Sequence, residues 1–121
     1  MRERNKNVAD RNDVQGDVII DVNIINNNQP PDGQSQEIGV ATVTCNGAKP
    51  PPGQTYDVWF TLEGSSMARF VDTMTNQTRR TTDENGQATV SFVDTVAEIG
   101  TLYAAVKVAG KPFAQKNFAF D

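Results

Sequence analysis

The sequence predicts an all-β domain, an antiparallel sandwich of seven or eight short strands. Residue choice is the first reason: the 121 residues include 13 Val and 12 Thr but only 2 Leu. Val and Thr fit a pleated, half-buried surface, and scarce Leu argues against a helix bundle. Apolar residues alternate with polar ones along most of the chain, and no 3.6-residue stripe competes. Pro- and Gly-rich turn signals also recur about every 8–12 residues, the rhythm of a sandwich or barrel.

The elements follow in order. Residues 1–16 mix charges of both signs with only Val8, Ala9 and Val14 as apolar groups. Such a stretch buries too little surface to offset its ordering entropy and reads as a flexible linker or tail, leaving 17–121 as the domain. In Asp17–Ile25, Val18, Ile20, Val22 and Ile24 share one strand face. The run Asn26–Gly33, with tandem Pro30-Pro31 and Asp32-Gly33, ends that strand. Glu37–Cys45 is a second strand, with Ile38, Val40, Thr42 and Thr44 on one face. Ala41, Val43 and Cys45 take the other face, read as the outward one. A loop at Asn46–Gly53 leads to Tyr56–Glu63, whose apolar face is Val58, Phe60 and Leu62. Met67–Asp72 carries Ala68 and Phe70, and the polar stretch Thr73–Thr82 has room for a short edge strand. Asp83-Glu84-Asn85-Gly86 is a turn in which Gly86 can take positive φ. Ala88, Val90 and Phe92 then alternate, as do Leu102, Ala104, Val106 and Val108 in the next strand. After Gly110-Lys111-Pro112 the last strand places Phe118 and Phe120 two apart.

Composition excludes several functions. Formal charge is −4, so nothing electrostatic favours nucleic acid or an anionic membrane. There is no histidine and one cysteine, Cys45. Imidazole triads, His-ligated metals, internal disulfides and multi-cysteine zinc sites are thereby removed. No apolar run reaches the roughly 18–20 residues of a membrane-spanning helix. The polar start, Met1-Arg2-Glu3-Arg4-Asn5-Lys6, lacks the apolar core of a signal peptide. The reading is a monomer that is not an enzyme and needs no cofactor.

From about Asp32 to Phe120 the chain resembles the bacterial immunoglobulin-like domain of the intimin/invasin family. The likeness is carried by Val40-Ala41-Thr42-Val43-Thr44, the loop Asn46–Gly53 and Val58-Trp59-Phe60-Thr61-Leu62. Its most specific part is the hairpin Thr81-Thr82-Asp83-Glu84-Asn85-Gly86-Gln87-Ala88, continued by Ile99-Gly100-Thr101-Leu102-Tyr103. The resemblance implies an Ig-like sandwich in an exported protein at the bacterial surface or outside the cell, with no catalysis. Modules of this type bind proteins or act as rod-like spacers. The partner expected is a host receptor or an intimin/invasin-like bacterial surface protein, and the alternative is a spacer in an adhesin stalk.

Trp59 departs from the family pattern, which has a small polar residue there. Alternation sets it opposite Val58 and Phe60, hence outward, and an outward aromatic is a candidate protein contact. A covering loop, the N-terminal segment or a bulge turning it inward would explain it equally. Tyr103 is a second outward aromatic. Cys45 reads either as a thiol for another chain or as a small buried hydrophobe. Asp72 and Asp94 each close a strand and could meet at one end of the sandwich, where loop solvation explains them better than acid–base chemistry. Asp83-x-Asn85-Gly86 faintly resembles a calcium loop, but a hairpin turn accounts for the same residues. Arg79-Arg80 is too small a patch for nucleic acid, and Lys107, Lys111 and Lys116 read as exposed guards against edge pairing.

Overall fold

The computed structural model describes residues 17–121; the charged segment 1–16, read above as a linker or tail, lies outside the described residues. Eight strands form: β1 (Val18–Ile25), β2 (Glu37–Cys45), β3 (Asp57–Glu63), β4 (Arg69–Phe70), β5 (Gln77–Thr81), β6 (Gln87–Val93), β7 (Glu98–Val106) and β8 (Phe113–Phe120). They make two antiparallel four-stranded sheets, ordered β1-β2-β6-β4 and β5-β3-β7-β8. The predicted all-β sandwich is therefore the observed fold.

Period-two alternation sends one side of every strand into a shared core. Val18, Ile20 and Val22 of β1 meet Val58, Phe60 and Leu62 of β3 and Leu102, Ala104 and Val106 of β7 in one buried cluster. Phe92 is the hub. Its ring lies 6.3 Å from Phe70, 5.0 Å from Phe118 and 6.0 Å from Phe120, each edge-to-face. Such pairs add about 0.5–1.5 kcal/mol beyond the area they bury. Gly100 leaves room for this packing, since a Cβ there would lie 2.5 Å from Phe118 Cζ.

Two strands differ from the sequence reading. In β2 the buried side is Glu37, Gly39, Ala41 and Val43, while Ile38, Val40, Thr42 and Thr44 are half-buried on the outer side. The outward assignment of Ala41 and Val43 is thus reversed. Register decides it, because Val22 pairs with Ala41 and Ile20 with Val43, which carries them inward with the core side of β1. The stretch Met67–Asp72 pairs only at Arg69 and Phe70, opposite Val93 and Phe92. Thr73–Thr82 does contain the expected edge strand, β5, which borders its sheet.

The Asp83–Gly86 turn does not close the hairpin read from the sequence: it carries the chain from β5 in one sheet to β6 in the other, and these two strands do not pair. Asp83 Oδ1 accepts from the amides of Asn85 (2.8 Å) and Gln87 (3.0 Å). Gly86 has φ +78° and its carbonyl accepts from Val43 N at 2.8 Å, tying the turn to β2. A Cβ at Gly86 would stand 2.4 Å from the Val43 carbonyl oxygen. Gly86→Ala is therefore expected to destabilise the domain by about 1–3 kcal/mol in equilibrium urea unfolding. Unchanged stability would show that this turn does not constrain the crossing between the sheets.

Candidate functional site

The outer face of the β5-β3-β7-β8 sheet gathers the aromatic candidates. Register sets Arg79, Trp59, Ala105 and Phe113 in one row across all four strands. Gln77, Thr61, Tyr103 and Gln115 form the adjacent row. Alternation does this: Val58, Phe60 and Leu62 must enter the core, so Trp59 and Thr61 must leave it. Trp59 is 38% exposed and Phe113 58% exposed, while Tyr103 is half-buried. Small Ala105 between Trp59 and Phe113 leaves the face hollow, with two adjoining shallow grooves of about 510 Å³ each.

Cations frame the aromatics. Lys107 Nζ lies 4.1 Å from the Trp59 ring centroid and Arg79 Cζ lies 5.3 Å from it. Exposed cation–π contacts are worth about 0.5–1 kcal/mol, enough to bias side chains that would otherwise roam. Tyr103 stacks on Phe113, its diagonal neighbour, at 5.3 Å and 22°. Lys111 lines the groove beside Tyr103 and Lys107. Sequence reading set Trp59 and Tyr103 outward without bringing them onto one face, which the β3–β7 register does, and it missed Phe113 and the cations around Trp59. Phe113 was readable by parity, because Phe118 and Phe120 face inward and 113 is odd. Arg79 and Arg80 part company in the fold, Arg79 joining Trp59 while Arg80 pairs with Asp72 at 3.0 Å.

Cys45 is half-buried, with Sγ 3.0 Å from the Tyr56 hydroxyl, which also meets the Gln54 amide. Burial and the Cys45 contact raise the Tyr56 pKa. No base stands in this set, and it gives the thiol no nucleophilic role. Among the described residues, no group of three or more Cys, Asp or Glu side chains is placed to hold a metal ion. No helix there is long and apolar enough to cross a membrane.

The two candidate acids each find another partner instead of one another. Asp72 Oδ2 accepts from Thr78 Oγ1 at 2.8 Å and pairs with Arg80. Asp94, 1% exposed, accepts through Oδ1 from Thr95 N (2.7 Å) and Val96 N (3.1 Å) and shares a hydrogen bond with Glu98. Glu98 in turn accepts from Ser66 N (2.8 Å) and Met67 N (3.0 Å), clasping the loop after β3. Burial, then the Glu98 contact, pushes the Asp94 pKa up to about 6. For Glu98, burial works upward, but the hydrogen bonds from Asp94, Ser66 and Met67 outweigh it and hold the pKa at about 2. Asp94, raised by burial, and the amide-held Glu98 together staple this loop.

No protein-family model matches the sequence, and no curated protein matches it. Solved structures do match in shape. Invasin, described as a bacterial integrin-binding protein, superposes with a TM-score of 0.68 at 20% identity, over 84% of this chain and 19% of that one. The D00-D0 and D0-D1 structures of intimin each give 0.61 at 20% identity, over 86% of this chain and 46% and 48% of theirs. The chain has the Ig-like fold of invasin and intimin domains. It spans less than half the length of each of these structures. That likeness matches the predicted sandwich, and the position of Trp59 on it comes from the register above.

The Asp94–Glu98 pair makes a prediction about this Ig-like domain. Because Asp94 is raised in the folded state from an unfolded value near 4, its contribution is fully present below about pH 4 and is lost as pH rises through about 6. Glu98 is depressed, so its contribution is present above about pH 4 and is lost as pH falls toward about 2. In Asp94→Asn the amide oxygen keeps the turn contacts and the amide nitrogen can donate to Glu98 at every pH. The variant is expected to be about 1–2 kcal/mol more stable than the parent at pH 7 and to lose the fall between pH 4 and 6. Urea unfolding across that range checks it, and an unchanged slope would contradict the raised Asp94 carboxyl.

Proposed function

We propose that this domain is a non-catalytic protein-binding module of an exported, surface-exposed bacterial protein of intimin/invasin type. Its contact surface is the outer face bearing Trp59 and Tyr103, and its partner is a bacterial surface adhesin or a host receptor. The observation that carries the reading is the row Arg79–Trp59–Ala105–Phe113, which leaves large aromatics exposed beside cations on a rigid sheet. Aromatic and Arg side chains are the residue types that dominate interface energetics. A hollow of this depth suits a protein surface better than a small substrate, which needs an enclosing cleft.

A stalk spacer is the second reading, and one geometric fact favours it. Val18 at the start of β1 pairs with Cys45, while Phe120 at the end of β8 pairs with Glu98 and neighbours Gln29 at the opposite pole. A chain entering at one pole and leaving at the other is what a linear array of domains requires.

Binding separates the two. The domain, Trp59→Ala and Tyr103→Ala would each be titrated against an intimin-type tandem Ig repeat and, separately, an integrin ectodomain. The binding reading expects saturable binding to one of them, weakened at least about tenfold by Trp59→Ala with the fold intact. No binding to either by the folded parent would leave the spacer reading.

A further inference from the structure

The backbone edge beside the aromatic face has its own chemistry. Leu62 N donates to Asn76 O at 2.9 Å and Thr82 N donates to Tyr56 O at 2.9 Å. These bonds turn the even-numbered residues of β5 toward β3, so the odd-numbered residues direct their N–H and C=O groups away from the sheet. Gln77 shows this directly. Its carbonyl accepts from Thr73 Oγ1 (3.0 Å) and Thr75 Oγ1 (2.9 Å), and its amide donates to Thr75 Oγ1 (3.3 Å). The loop before β5 therefore caps the edge at Gln77 and stops there. At Arg79 and Thr81, among the described residues, no backbone partner meets the outward N–H and C=O groups.

Charge and side-chain placement meet at the same edge. The Arg79 side chain rises onto the outer face beside Trp59, and Lys107 meets the same ring. Beneath the edge, the Arg80–Asp72 pair and the Thr78–Asp72 hydrogen bond hold β5 in place. Asp57 is an opposing charge near this row, engaged by the Thr81 hydroxyl at 2.8 Å. The positive character is thus centred on Arg79 and Lys107, in a chain whose net charge is −4.

We propose that the β5 edge accepts an extended, carboxylate-bearing segment of a partner protein as a fifth strand of this sheet. The added backbone pairs with Arg79 and Thr81, and its acidic side chains lie over the outer face toward Arg79 and Lys107. Main-chain pairing supplies affinity and alternate side chains supply selectivity, as in other strand-addition complexes. The proposal rests on the protein-binding reading and assigns it a partner chemistry. It also explains why the cap stops at Gln77: a fully capped β5 could not pair, and a fully open one would invite self-association.

The test uses the isotope-labelled chain, with a short peptide alternating valine and glutamate and its lysine counterpart as probes. The glutamate peptide is expected to slow exchange of the Arg79 and Thr81 amides at least about tenfold, with the lysine peptide inert. Thr81→Pro removes an outward donor without touching the β3 ladder, which an edge strand tolerates, and is expected to abolish this binding. Thr81→Val, which loses only the hydroxyl, should bind like the parent, and Lys107→Glu should weaken binding at least about fivefold. Shifts at Trp59 and Tyr103 without protection of Arg79 and Thr81 would overturn strand addition and leave the protein-binding reading standing. Equal binding of the lysine peptide, no response to the glutamate peptide, or parent dimers that block the edge would each overturn the proposal.

Discussion

Packing around Phe92 is the contact on which the rest of this domain depends. Its ring touches Phe70 from its own sheet and Phe118 and Phe120 from the other, so one side chain joins β4, β6 and β8. Once those rings are interlocked, the register of each strand has one solution that keeps its apolar side inward, and a one-residue slip would expose all of it. The position of Trp59 is a consequence. Phe60 is committed to the same aromatic cluster through Phe70, at 6.4 Å, so its neighbour must face out.

Legibility in the sequence followed the contrast between the two sides of each strand. In β3 and β6 most of the outer side is polar and the buried residues are those that alternation selects; in β1 and β7 alternation selects them too, although Ile19, Ile25, Ile99 and Tyr103 stand on the outer side. In β2 the buried side, Glu37, Gly39, Ala41 and Val43, is no more apolar than the outer side, Ile38, Val40, Thr42 and Thr44, so pattern alone could not choose. The deciding facts are pairings to β1 and β6, which lie far away in sequence. Asp94 was visible as a strand-ending acid, but its partner Glu98 sits at the start of the next strand and becomes a partner only when the intervening turn closes. The cations around Trp59 were likewise unreadable, since Arg79 and Lys107 come from the two strands flanking β3 and meet there only through the sheet.

Some of the acids are used inside the fold. Near the pole where β8 ends, Glu37 is fully buried, its carboxyl raised by burial against amide contacts from Gln29 and Asn28. Asp94 and Glu98 stand near it and brace the loops. The cations Arg79, Lys107 and Lys111 instead collect on one sheet face among exposed aromatics. Other acids, among them Asp21, Asp57, Glu63, Asp83 and Glu84, are exposed, so the basic, aromatic character is local to the surroundings of Trp59, and a shared sandwich alone would not specify that. An Ig-like scaffold can space domains or bind partners, and it is the decoration of this face that favours binding.

Everything here turns on adjacent residues of β3 pointing opposite ways, and equilibrium unfolding of Trp59→Ala beside Phe60→Ala tests that most directly. With Phe60 1% exposed and Trp59 38% exposed, Phe60→Ala should cost about 3–5 kcal/mol and Trp59→Ala no more than about 1 kcal/mol. A Trp59→Ala loss as large as that of Phe60→Ala would place the indole in the core and contradict the exposed face.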